Sequence, residues 1–470
     1  MVGFYLLALA VIGVLLWLPY AEWTYGGRIH FQLLICAPLA AIAIFVAVVP
    51  RRDKFEPPGP HLASKDHPEL FALIDDVARD TGQPPPKDVY LVPDANAFVT
   101  QRGGWMGFGG RRVMGLGLPL LQTLSVTEMR AVLAHEFGHF HHGDTALGPW
   151  IHATRAAIAR TLSSLRQSTV RFAFVWYWKA FLRATHAISR AQEFAADALA
   201  ARTVGADALT SGLRKVAGVA AAQSAYLQQE VAPVLRAGRR PPLAAGFEQF
   251  LCVPRIQASV QALVEAEMRE ARDDPYDTHP PLSRRIEALS KAESARPVVD
   301  DRPAIALLND PASLEAPLIE TITGWRVAAT RPPIAWSEVG RDVYLPAWRK
   351  SGGEVALNLA GMTPSTLPTD AASLAAVGRR FVSAPGDLAA ETDFGANAIG
   401  IALAVLLARV GWTPRCELGE PVAFERGGDR IEPFDAPRRL AAGELTEDEW
   451  RALCRRAGIA DVDLGTAGRA

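Results

Sequence analysis

Cysteine is scarce: Cys36, Cys252, Cys416 and Cys454 are the four in 470 residues. They lie far apart and form no Cys-x-x-Cys pair, which excludes a disulfide framework and a thiolate zinc site. Net charge is nearly absent as well, at -1, so nothing electrostatic argues for nucleic acid as a partner. Charge is missing altogether from Met1 to Ala21 and again from Ile29 to Pro50. Each run is long enough to cross a hydrocarbon layer of about 30 Å as a helix, and spans are expected over residues 3–20 and 30–50. The first run lacks the basic leader of a signal peptide and an obvious Ala-x-Ala cleavage site, and the second follows at once, so residues 1–54 read as a transmembrane helical hairpin in contact with the lipid bilayer. Arg51, Arg52 and Lys54 follow the second span, whereas the loop between the spans sets Arg28 against Glu22. The positive-inside rule then puts both termini and everything after residue 50 in the cytoplasm, on a cell (inner) membrane.

What the chain does contain is apolar surface, 49% of its residues, enough for two or three domains with substantial cores. After a Pro-rich linker over Phe55–Pro60, periodicity predicts a helix over His67–Thr81 and strands over Asp88–Val92, Ala97–Thr100 and Arg112–Leu116, the last two around the Gly-rich turn Gly103–Gly110. Such a small sheet can offer an edge strand to an extended peptide, main chain to main chain, or simply shelter the helix that follows; both readings stand.

That helix is the centre of the chain. Ser125 and Glu128 have the spacing of a capping box, and Met129, Val132, Leu133, Phe137 and Phe140 recur on one face up to about Asp144. His135 and His139 then lie one turn apart, as two imidazoles sharing a tetrahedral zinc require, with Glu136 beside them as general base for a water. Gly138 leaves one flank bare for a neighbour. The next stretch is helical and dotted with Arg155, Arg160, Arg166, Arg171, Lys179 and Arg183, so no further span is expected. Its aromatic segment, residues 172–181, reads as core packing in the first instance and as a headgroup contact in the second. A catalytic zinc needs a third protein ligand, and Glu193 supplies it from a second helix; Asp197, one turn on, can accept the second ring N–H of a ligating histidine.

Taken together, Asn96-Ala97-Phe98, His135-Glu136-Phe137-Gly138-His139 with Asp144, Ser189-Arg190-x-x-Glu193-x-x-Ala196-Asp197, and Thr278-His279-Pro280-Pro281 with Arg285-Ile286 resemble the HtpX and type-I CAAX prenyl protease family of membrane zinc metalloendopeptidases, which are gluzincins. The resemblance covers roughly residues 65–290. It implies one zinc ion per chain on His135, His139 and Glu193, Glu136 as base, Asn96, Ala97 and Phe98 beside the substrate, and unfolded or surplus membrane proteins as polypeptide substrates in a quality-control role. It also brings His279 near the cleft, as an oxyanion donor or as a buried structural histidine. His141 and His142 are not needed as ligands once Glu193 completes the set. Two features depart from the family: the further apolar spans between second and third ligands are missing, which argues against a prenyl-protein chamber, and the tail is unexplained.

The fold class expected is therefore α+β: a mostly helical, zincin-like metalloprotease domain with a small sheet over residues 55–293, preceded by the hairpin and followed by an α+β accessory domain over 304–470. Ser294–Pro303 reads as a linker. Ala208–Leu289 reads as helical with a break at residues 238–242. The tail should hold strands at Trp325–Ala329 and Glu354–Leu359, a packed helix over Leu388–Val410, a hairpin across Gly427-Gly428 and a last helix capped by Thr446 and Glu449. The competing reading is a catalytically silent zinc-containing membrane scaffold that recruits partners through this tail.

Overall fold

The uncharged stretches become helices α1 (Val2–Ala21) and α2 (Phe31–Val48). The structure is a computed structural model that describes residues 2–26, 30–49, 55–103, 110–140, 148–164, 171–269, 279–296, 298–324, 330–381 and 386–468. Chain order continues with β1 (His61–Leu62), α3 (Pro68–Asp80), β2 (Asp88–Val92), β3 (Ala97–Arg102), β4 (Arg111–Gly117), α4 (Leu118–Thr123), α5 (Val126–Gly138), α6 (Gly148–Ser164), α7 (Arg171–Thr203) and α8 (Ala206–Ala225). Helices α9 (Ala232–Arg236), α10 (Leu243–Cys252), α11 (Pro254–Arg269), α12 (Leu282–Leu289), α13 (Glu315–Thr323), α14 (Trp336–Val339), α15 (Leu345–Leu359), α16 (Ala371–Gly378) and α17 (Leu388–Arg409) follow. The chain closes with β5 (Thr413–Arg415), β6 (Ala423–Arg426), β7 (Asp429–Ile431), α18 (Ala436–Ala441) and α19 (Glu447–Ala457).

The chain divides into two compact units, residues 1–221 with 260–326, and residues 222–259 with 327–470. The division expected near residue 304 falls inside the first unit. The reason lies in the backbone: the first amides of α5 have no partner within their own helix, and Val126 and Thr127 donate instead to the carbonyls of Arg302 (2.9 Å) and Asp300 (3.1 Å), while Ala304 donates to Leu124 (2.9 Å). The stretch read as a linker is thus a strap bonded across the start of α5.

In the first unit, α1 and α2 bury a narrow ridge, Phe4, Ala8 and Leu15 against Ala37, Ala41 and Ile44, together with Ala157, Ile158, Phe174 and Phe181 of α6 and α7. The remaining surface is apolar and exposed, with 17% and 22% of the two apolar windows buried. Leu9, Leu16, Leu39, Ile42 and Phe45 face outward, a surface solvated by lipid and not by water. The chain is thus a membrane protein; the basic flank Arg51, Arg52 and Lys54 lies outside the described residues. Of the aromatic segment, Phe174 and Phe181 are core, as the first reading expects, and Phe172 and Trp176 are exposed.

The three predicted strands form, β3 and β4 each slightly longer than expected, in a sheet of order β1-β2-β4-β3. β2 runs parallel to β4, and β3 pairs antiparallel at the edge with Ala97 opposite Leu116. Gly115 has no side chain because the Phe98 ring lies across it: a Cβ there would stand 2.4 Å from that ring. α7 contains neither Gly nor Pro over 33 residues, and such a helix is about 50 Å long.

The second unit is built around α17, whose apolar window is 67% buried. Although long and apolar enough to cross a membrane, it is encased by α15, α16 and the C-terminal helices through Ile399, Ala402, Leu403, Leu406 and Leu407. α16 approaches it backbone to backbone, since a Cβ on Gly395 would stand 2.3 Å from the Leu374 carbonyl oxygen. The hairpin β6–β7 turns on Gly427 and Gly428, both at positive φ, the signature of a two-residue hairpin turn. Thr446 and Glu449 form the expected capping box of α19. The strand expected at Glu354–Leu359 is instead the end of α15. Trp348, Gly352, Val355 and Leu359 are buried at helical spacing, and Gly352 is small because the Ala467 carbonyl closes to 3.1 Å of its missing Cβ. The strand expected at Trp325–Ala329 lies outside the described residues.

Candidate metal centre

α5 is fixed at its start by the capping box: Glu128 N–H donates to Ser125 Oγ (3.2 Å) and Ser125 N–H to Glu128 Oε2 (2.8 Å). Glu128 is buried and also accepts from Ser211 Oγ (2.6 Å) and Lys215 Nζ (2.7 Å) of α8. Burial would raise its carboxyl, but these donors hold it below the usual range. Met129, Leu133 and Phe137 are fully buried, so the register of α5 is locked by its core face. The helix stops at Gly138, with His139 as its C-cap, short of the expected Asp144; His141, His142 and Asp144 lie outside the described residues.

His135 and His139 emerge one turn apart, ring centroids 4.8 Å apart and nearly perpendicular. α7 reaches them because both helices are thin at the crossing: a Cβ on Gly138 would stand 2.8 Å from Ala196 Cα. Gly138→Ala should therefore push α5 from α7, with a stability loss of about 1–3 kcal/mol and weaker metal retention; unchanged metal stoichiometry and unchanged melting would show that the crossing tolerates the methyl.

From α7, Glu193 brings Oε2 to 3.6 Å from His135 Nε2 and Oε1 to 3.5 Å from His139 Nε2. Asp197 sets Oδ1 2.9 Å from His135 Nδ1. From α12, the buried Arg285 donates twice to Asp197, Nε to Oδ2 (2.9 Å) and Nη2 to Oδ1 (2.7 Å), and places Nη1 3.2 Å from Glu193 Oε2. This charge-assisted fork outweighs burial and holds Asp197 down to about 2. Burial drives His139 down to about 4, leaving a neutral imidazole with a free lone pair, while the bond to Asp197 overcomes burial and raises His135. Burial, with Glu193 adding to it, pushes Glu136 up to about 7.

His135, Glu136 and His139 carry ligand-type atoms within 4.8 Å of one another. Proximity on α5 alone would make Glu136 the carboxylate of a metal cluster. Glu193 sets its two carboxylate oxygens 3.6 and 3.5 Å from the two Nε2 atoms, and Glu136 accepts a hydrogen bond from the Val99 N–H of β3. Asn96 O accepts from Gly117 N (2.8 Å) on the β4 side, while Asn96 N donates to the Asp94 carbonyl (2.8 Å); by antiparallel alternation Phe98 and Thr100 spend their main-chain groups on β4 and Ala97, Val99 and Gln101 face outward. Of the three residues expected beside a substrate, Ala97 is the one whose main chain faces the site; Phe98 packs on Gly115 and Asn96 is exposed at the strand start. His279 brings Nε2 to 3.6 Å from Glu193 Oε1 with its side chain 63% exposed, so it rims the cluster and is not a buried structural histidine.

These donors fit a divalent metal of intermediate softness: two neutral-capable imidazoles and a carboxylate oxygen converge, and Glu193 Oε2 is buried without a well-formed hydrogen bond. Arg285 and Val99 are the participants whose roles the sequence did not give. A buried helix face carrying both Glu193 and Asp197 calls for a compensating cation, which is the signal that could have pointed to Arg285.

A sequence model of peptidase family M48 matches residues 64–293. Protease HtpX of Erwinia tasmaniensis is 26% identical over 256 residues, 48% of this chain and 74% of that protein. A Protease HtpX homolog of Pyrococcus abyssi is 29% identical over 249 residues, 49% of this chain and 75% of that one. Protease HtpX homolog 1 of Sulfurisphaera tokodaii is 38% identical over 81 residues, 17% of this chain and 24% of that one.

Proposed function

Because the chain belongs to the HtpX-like membrane metalloproteases of peptidase family M48, and is a metalloendopeptidase, we propose that it cuts unfolded or surplus membrane proteins in a quality-control role, using one zinc ion held by His135, His139 and Glu193 in a zincin-like domain. The observation that carries this reading is the convergence of both Nε2 atoms on the Glu193 carboxylate, immediately beside Glu136 and the outward edge of β3. Bound zinc supplies a Lewis acid for the scissile carbonyl and makes water acidic enough to ionise near neutral pH. Glu136 takes the proton from the attacking water and passes it to the leaving amine. Val99 N–H orients the Glu136 carboxylate for that transfer. Asp197, itself clamped by Arg285, fixes the tautomer and ring plane of His135. His279, exposed at the rim, donates to the oxyanion as it forms. The substrate lies extended along Ala97, Val99 and Gln101, paired through its main chain, which makes binding tolerant of sequence.

The test is metal dependence. A chelator should abolish hydrolysis of an unfolded polypeptide by the detergent-purified chain, and stoichiometric zinc should restore it; full activity in protein shown to be metal-free would end the proposal. The catalytic domain belongs on the cytoplasmic side of the inner membrane by the charge bias around the hairpin. A cysteine placed at Lys54 should react with an impermeant reagent only after the membrane is opened, and labelling from outside would reverse the orientation.

A further inference from the structure

The aromatic start of α7 takes no part in the centre described above, yet the same unbroken helix continues to Glu193. Two contacts fix its level against the membrane hairpin. Phe4, in the first turn of α1, packs its ring on Phe174 (centroids 6.3 Å, edge-on) and on Tyr177 (6.0 Å). On the other arm, Arg160 of α6 donates its Nε hydrogen to the Ala47 carbonyl (3.1 Å), in the last turn of α2. These are the two ends at which the hairpin leaves the apolar layer on one side, so α6 and α7 meet the bilayer at that surface. At this level α7 turns Phe172 (80% exposed) and Trp176 (74%) outward, and Lys179 and Arg183 follow on the same face at helical spacing. Aromatic rings backed by cations are what a headgroup layer accommodates.

We infer that Phe172 and Trp176 seat the start of α7 in the lipid headgroup layer, and that α7 thereby acts as a spacer that keeps the catalytic centre from cutting bonds next to the membrane. From Tyr177, level with Phe4, to Glu193 the helix rises about 24 Å at roughly 1.5 Å per residue, the greatest height the centre can have above that surface. A substrate segment emerging from the same bilayer needs about five to seven extended residues to reach it, depending on the tilt of α7. The substrate class is therefore membrane proteins with a loosened tail or loop longer than this. This spacing rests on the membrane-protease reading, whereas the lipid seat does not.

The experiment has two arms on the full chain in vesicles containing anionic lipid. In the first, single-span substrates carry an unstructured spacer of about two, about seven or about fifteen residues before an otherwise identical cleavable segment. Cleavage should be at least about tenfold slower at the shortest spacer than at the longest, and Phe172→Ser with Trp176→Ser, which leaves the contacts of Phe4 and Arg160 in place, should narrow this difference while hydrolysis of a soluble unfolded polypeptide stays unchanged. Equal cleavage at all spacers overturns the inference, and loss of soluble-polypeptide hydrolysis only in Glu136→Gln shows the protease reading intact. In the second arm, which needs no activity, a nitroxide on Trp176→Cys, with exposed Cys36 and Cys252 replaced by serine, should collide with dissolved oxygen more than with a water-soluble relaxant. The reverse order places that face in water and removes the seat.

Discussion

Glu136→Gln should lower hydrolysis of an unfolded polypeptide by about 10³–10⁴-fold, the range removed with a general acid–base group, while the protein keeps its metal and its melting temperature. Glutamine preserves the shape of the side chain and can still accept the Val99 N–H through its carbonyl oxygen, so β3 and α5 should not move apart. What it cannot do is take a proton. The Glu136 carboxyl is suited to that task because burial and the nearby Glu193 raise it to about 7, close to the pH at which a base both holds and releases a proton readily. Measured as kcat on a labelled unfolded substrate, with zinc content determined on the same preparation, equal rates for the two proteins would take Glu136 out of the mechanism. The silent-scaffold alternative expects that equality.

Arg285→Ala should be the most damaging single change to stability among the residues around the centre, at about 3–5 kcal/mol in the metal-free protein, because it leaves Asp197 and Glu193 buried without their cation. Asp197 accepts two of the guanidinium's hydrogens and Glu193 sits beside a third nitrogen. Arg285→Lys keeps the charge and loses the fork, and should recover part of the loss. Thermal unfolding in detergent reads the effect; a change below about 0.5 kcal/mol, the scale of ordinary surface substitutions, would mean that the network contributes nothing net. Since Asp197 bonds His135 Nδ1, the alanine variant should also bind zinc more weakly by about 10–100-fold, the usual cost of losing a group that orients a ligand.

Much of this centre could be read from the chain because its parts follow local rules. Capping chemistry announces the start of α5, a one-turn offset pairs His135 with His139, and short apolar runs mark β2 and β4, which are buried almost throughout. The end of α5 could not be read, since Phe140 continues the apolar period past the point where His139 caps the helix. Arg285 reaches Asp197 from 88 positions downstream, and no periodicity carries information over that distance. The strap over residues 298–304 has the composition of a linker; what holds it is the set of unpaired amides at the start of α5, which belongs to another segment. In α15 the run Glu354–Leu359 reads as a short strand on its own, whereas the helix it completes is seated where another piece of main chain presses on Gly352. Residues 222–259 join the second unit for a similar reason: Arg255 donates to the Gly419 carbonyl and Gly419 N–H to Glu230, contacts invisible in local sequence.

The hydrogen bond from Val99 to Glu136 has a consequence for which proteins are spared. On the mechanism proposed above, the residue that offers its carbonyl to an incoming chain is also the one whose amide aims the base, so docking and proton transfer share a single residue. A natively folded polypeptide has already committed its amides and carbonyls to its own helices and sheets, and it has none to lend to β3. Under the strand pairing proposed above, selection for damaged proteins arises from backbone availability alone, with no dedicated sensor of misfolding: the ruined chain identifies itself by the bonds it has stopped making.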